Sequence, residues 1–133
     1  MPDNSWASVS ATESQPILLL FGRDIFFAPV VKTAATSAGC RLTILPSVDS
    51  LTTALQSNTL SASSVRACVL DLTPLSVEQI LEWGTQLAKQ LPNARRIAFG
   101  PHVQIEKFQT ATDAGFDPVL AKGQVASSLA GLL

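Results

Sequence analysis

The chain has 133 residues, 47% of them hydrophobic and only 14% charged, with a net charge of −1. That is one domain's worth of chain, long enough to bury roughly two-thirds of its unfolded surface. With no basic cluster beyond Arg95-Arg96, it is not expected to bind nucleic acid through a charged face. A single histidine and two cysteines without CxxC spacing, Cys40 and Cys68, leave too few ligands for zinc. Both cysteines read as small buried hydrophobes. The shortfall in charge implies an apolar part of the surface that a partner covers.

Residues 1–15, "MPDNSWASVSATESQ", are polar, Ser-rich and without periodicity. They are expected to form a disordered tail in which Trp6 is the one bulky apolar group. The domain then spans residues 16–133. There is no basic segment followed by an apolar one at the start, and the longest apolar run, Ile17–Phe21, is far too short to span a bilayer. No membrane association and a cytoplasmic setting are therefore expected.

From Pro16 onward, short apolar runs alternate with stretches of helical spacing. The runs are Ile17–Phe21, Arg41–Leu45, Arg66–Leu72, Arg95–Phe99 and Pro118–Ala121, nearly continuous in apolar character, as strands buried on both faces should be. Between the first two runs, Phe26–Ala38 predicts a helix with Phe27, Val30, Val31 and Ala34 on one side. Pro29 lies in its first turn and Gly39 just past its end. Ser47–Gln56 is a second helix with a hydroxyl at its N-cap. Ser76 caps a third, Val77–Leu91, whose inner stripe is Val77, Ile80, Leu81, Leu87 and Leu91, and Pro92 stops it. Val103–Ala114 ends at Gly115, and Val125–Leu133 is a terminal helix without a charged residue.

Five strands alternating with five helices predict right-handed crossovers and an α/β fold with a parallel sheet covered on both faces. For one small domain the flavodoxin-like doubly wound order 2-1-3-4-5 follows, with ligands gathering at the carboxyl ends of strands 1 and 3. Asp71, in "CVLDLTP", stands at that rim at the end of the third strand. A carboxylate there is costly to bury unless it has a partner or a task.

The segment "AGFDPVLAKGQ", Ala114–Gln124, resembles the end of a bacterial response-regulator receiver domain, where Ala-Gly-x-Asp precedes a short strand and a lysine. "ILLLFGRD" and "ACVLDLTP" are similar to that family's first and third strands, and "AFGPH" is shared with some short stand-alone receiver-like proteins. The resemblance implies that Asp71 occupies the phosphoacceptor position and Lys122 that of the phosphate-pairing lysine. It also marks departures. Gly22 and Arg23 stand where the family has a metal-holding acidic pair, leaving Asp24 one place on. Gly100 stands where a switch hydroxyl is usual, Gly123 follows the lysine where the family has proline, and Pro74 comes one place early.

The rim pocket is thus expected to comprise Gly22, Arg23, Asp24, Gly100 and Lys122 around Asp71. Asp71 is either a phosphoacceptor or a carboxylate paired with Lys122 and Arg23. Asp24 either joins Asp71 in holding a metal or caps the first helix. His102, the lone histidine, reads as a loop or capping residue. The resemblance implies an atypical, stand-alone receiver-like module that acts by protein–protein binding, without catalytic residues or a cofactor. The alternative is a phosphoacceptor receiver of a two-component system using Asp71 with Mg²⁺. The expected partner is another protein or a second copy of the chain, docking on the face of helix 4, strand 5 and helix 5.

Overall fold

The computed structural model describes residues 15–22 and 27–133. The expectations placed on residues 1–14, and on Arg23 and Asp24, fall outside the described residues. Five strands form one parallel sheet: β1 (Ile17–Phe21), β2 (Arg41–Leu45), β3 (Val65–Asp71), β4 (Arg95–Gly100) and β5 (Val119–Ala121). Their order is β2-β1-β3-β4-β5, the flavodoxin-like arrangement. Helices α1 (Ala28–Ser37), α2 (Val48–Gln56), α3 (Val77–Gln90), α4 (Ile105–Asp113) and α5 (Lys122–Leu132) connect or follow them.

Strand side chains alternate between the two faces, and so build two cores. Leu19, Phe21, Cys68 and Leu70 join Leu51 of α2, Ile80 and Leu87 of α3, and Phe116. On the other face, Leu18, Leu20, Ala67, Val69, Ile97 and Phe99 meet Val31 of α1 and Val125 and Leu129 of α5. Each fully buried Val, Leu, Ile or Phe among them contributes about 1.5–3 kcal/mol relative to exposure. The edge strand β2 is the exception to two-sided burial: Ile44 is 48% exposed.

Local chemistry sets the helix ends. Ser47 Oγ accepts the Ser50 N–H at the start of α2. At α3, Ser76 Oγ accepts the Gln79 N–H at 3.1 Å while Gln79 Oε1 accepts the Ser76 N–H at 2.9 Å, a reciprocal capping box. Helices α1 and α4 both finish in Schellman turns. The Cys40 and Phe116 amides bond back to Ala35 and Ala111, with Gly39 and Gly115 at φ 76° and 96°. A side chain at either glycine would be forced into the left-handed region.

Several expectations need correction. Leu81 is 45% exposed, because the inward stripe of α3 runs Ile80, Gly84, Leu87 and on to Leu91. Gly84 is there for closeness: a β-carbon on it would lie 2.9 Å from that of Ala114, at the end of α4. Helix α1 begins at Ala28 with Phe27 at its N-cap, which makes no side-chain cap bond; the capping role considered for Asp24 lies outside the described residues. Helix α5 starts at Lys122, three residues early, because Ala121 is already its N-cap and donates its N–H to Gln124 Oε1 at 2.8 Å. The terminal helix therefore carries a charge at its first residue. Helix α4 starts at Ile105, leaving Val103 in the preceding turn. Among the described residues, no helix is long and apolar enough to cross a membrane.

Candidate functional site at the carboxyl rim of the sheet

Asp71 ends β3 in register with Phe99 of β4, and the next amide, Leu72 N–H, donates to the Phe99 carbonyl at 2.9 Å. This pairing holds the aspartate at the centre of the rim, where it is 4% exposed. Its Oδ1 accepts the Thr73 N–H at 3.0 Å, an aspartate turn that fixes both the side chain and the start of the loop to α3. That amide is the one hydrogen-bond partner of the carboxyl among the described residues. The expected ion pair with Lys122 is not formed.

Gly22, just past β1, packs directly on the aspartate. A β-carbon built on it would lie 3.2 Å from that of Asp71 and 3.8 Å from Oδ2. Any larger residue would crowd the carboxyl, so strand 1 presents bare backbone here. On the opposite flank the Gly100 position is closed: its missing β-carbon would lie 3.3 Å from Leu72 Cβ and 3.5 Å from the Phe108 ring. The structure thus brings Gly22, Asp71 and Gly100 to one rim. Lys122 stands beyond β5, its ammonium 5.6 Å from the centre of the Phe27 ring, which in turn stacks on Phe99 at 4.7 Å. His102 is exposed in the turn before α4.

Sequence reasoning missed Lys107. From the first turn of α4 its ammonium reaches over the rim and donates to the carbonyls of Thr73 at 3.0 Å and Leu72 at 3.3 Å. One signal was available: a cation in a first helical turn opposes the helix dipole and calls for a partner elsewhere. Trp83 of α3 was missed as well. It meets Phe21 edge-on, with ring centres 6.3 Å apart, and walls a cleft of about 330 Å³ beside Asp71. Phe21, Gly22, Asp71, Leu75 and Gln79 also line this cleft.

Mg²⁺ takes near-octahedral oxygen coordination. Among the described residues Asp71 is the sole carboxylate lining the cleft, and no three His, Cys, Asp or Glu side chains cluster anywhere. Asp24, expected to join Asp71 if a metal is held, lies outside the described residues. Nor is there a poised thiol: burial pushes Cys68 up to about 12, against a smaller downward pull from Arg96. Cys40 and Cys68 are both buried and unbridged, as small hydrophobes.

No family model and no curated protein matches the chain. Solved structures do. A response regulator from Thermotoga maritima superposes with a TM-score of 0.66 at 14% identity, covering 86% of this chain and 99% of its own. A CheY-like protein, tadZ, from Pseudomonas aeruginosa gives 0.65 at 17% identity, covering 88% and 95%. A response regulator from Burkholderia pseudomallei, solved with a phosphorylated aspartic acid, a calcium ion and citrate, gives 0.61 at 18%, covering 88% and 69%. At these identities the likeness is one of fold.

Proposed function

We propose that this chain, which has the fold of a response-regulator receiver domain, is an atypical receiver-like signalling module that works by binding another protein, without Mg²⁺-dependent phosphorylation of Asp71. The observation that carries the reading is the company Asp71 keeps: bare Gly22 backbone on one side and a Gly100 position filled by Leu72 and Phe108 on the other. Phosphoryl transfer to a carboxylate needs the approaching negative charges neutralised. Among the described residues no second carboxylate helps to hold a metal, and no hydroxyl stands at Gly100 to sense a phosphate.

A docking surface supports the same reading. Val103, in the turn before α4, and Ile105, its first residue, are 73% and 75% exposed. They form an exposed apolar corner in a chain with few charges, and another protein or a second copy, docking on the face of α4, β5 and α5, would cover it. No enzymatic step is assigned, and a cytoplasmic setting accords with this role.

The test is incubation with acetyl phosphate and millimolar Mg²⁺, followed by intact mass measurement. An unmodified mass is the expected result. A phosphoryl adduct that vanishes in Asp71→Asn would overturn this reading and establish the phosphoacceptor alternative.

A further inference from the structure

The cleft beside Asp71 has the features of a small-molecule site. Its volume of about 330 Å³ sits at the lower end of the range for ligand pockets, roughly 300–1,000 Å³. Its walls are mostly apolar, with the Phe21–Trp83 pair on one side and Leu75 at the loop. Gly22 leaves it open at the aspartate, since even a methyl group there would press on Asp71.

The polar groups of the lining decide what chemistry it takes. Gln79 Oε1 is committed to the Ser76 N–H, and Ser47 Oγ to the Ser50 amide and hydroxyl. Asp71 is different. It is 96% buried, one oxygen holds the Thr73 N–H, and the second takes no hydrogen bond among the described residues. That oxygen is not among the fully buried polar atoms left without a partner, which among the described residues are Thr73 Oγ1 and Gln104 Oε1, so it keeps contact with the cleft, where a bound donor can reach it. An anion is disfavoured beside this carboxyl, and an apolar molecule would leave it unsatisfied.

We propose that this cleft binds a compact planar molecule bearing an amine or amidine group, its N–H donors on the second oxygen of Asp71 and its apolar body against Trp83. Such a ligand supplies at the rim the positive charge that a metal supplies in a phosphorylated receiver. Its contact with Asp71 reaches the Thr73 amide directly and, through the Thr73 carbonyl, Lys107 and α4. The inference rests on the preceding reading only in that Asp71 carries no phosphoryl group.

Benzamidine is the probe, with benzoate and toluene as matched controls, followed by amide and indole resonances of the ¹⁵N-labelled protein. Saturable shifts at Thr73 and the Trp83 indole with benzamidine alone are expected. Asp71→Asn, which keeps the shape and the bond to Thr73, should weaken binding roughly tenfold or more. Trp83→Leu should weaken it several-fold while leaving the Thr73 shift. Absence of shifts at millimolar benzamidine, equal shifts with benzoate or toluene, or unchanged affinity in Asp71→Asn would each overturn the proposal. The phosphorylation assay is read by mass on protein without probe, so the two readings fail separately.

Discussion

Lys107 and Thr73 belong to different layers of the molecule, yet the lysine ammonium on α4 lies 3.0 Å from the Thr73 carbonyl. Because the Thr73 amide also holds Asp71, one residue joins the rim carboxyl to α4. In a fold where Gly100 offers no hydroxyl, this is the polar connection between the site and the exposed apolar corner of α4.

Removing that connection should loosen the loop without unfolding the protein. Lys107→Met keeps the aliphatic stem and deletes the charged donor, leaving the Leu72 carbonyl to the Leu75 N–H and the Thr73 carbonyl without the ammonium. The expected cost is about 1 kcal/mol in denaturant unfolding. Hydrogen exchange at Thr73 and Leu75 should accelerate, with the β-sheet amides unchanged. Unaltered exchange at Thr73 would show that the aspartate turn holds the loop alone.

Restoring a hydroxyl at strand 4 should not restore a switch. Gly100→Thr places a branched side chain where the first carbon already meets Leu72 at 3.3 Å and Phe108 at 3.5 Å. Overpacking of this kind costs about 1–3 kcal/mol. A lower melting temperature with no phosphoryl adduct in the acetyl phosphate assay is expected.

The buried thiol gives a pH dependence with a definite sign. Cys68 is raised from 9.0 to about 12 by burial, so between those values the unfolded chain has lost a proton that the folded chain keeps. Its stabilising contribution is complete below pH 9 and declines as pH rises toward 12. Compared with Cys68→Ala, the wild type should lose stability more steeply over that window. Parallel stability–pH curves for the two proteins would contradict the burial argument. In the same vein, the folded protein should resist alkylation at Cys68 at pH 8 and react once denatured.

Ile105→Asp should leave the melting temperature unchanged within error, since the side chain is 75% exposed. If this corner joins two copies of the chain, the substitution should abolish concentration-dependent sedimentation. A wild-type chain that stays monomeric at high concentration would assign the corner to a different protein.

The topology was legible because buried parallel strands write themselves as unbroken apolar runs, and all five appear within a residue or two of expectation. Capping at Ser47 and Ser76, and the glycine stops at Gly39 and Gly115, were legible for the same kind of local reason. The stripe of α3 was misread at Leu81. Helical spacing alone ranks Leu81 above Gly84, and only the approach of Ala114 makes the glycine the inward residue. At the rim, the position of Asp71 could be read from its strand, but its partner could not. Charge counting favoured Lys122, whereas the backbone amide two residues on was already within reach. Lys107 comes from a helix beyond the next strand and Trp83 from the helix that follows Asp71, and no spacing rule links either to the carboxyl.

The contact between Gly84 and Ala114 also constrains how this chain can drift. A β-carbon at position 84 would meet the Ala114 β-carbon at 2.9 Å and both the Ala114 carbonyl oxygen and the Phe116 ring at 3.2 Å, so the position is closed from three sides. Sequences descending from this one should therefore keep glycine at 84 even where position 114 becomes smaller. Trp83 precedes Gly84 on the same turn of α3. A side chain at 84 would push that turn away from Ala114 and Phe116 and carry Trp83 with it, making the breadth of the rim cleft a heritable quantity set by a position that does not line it.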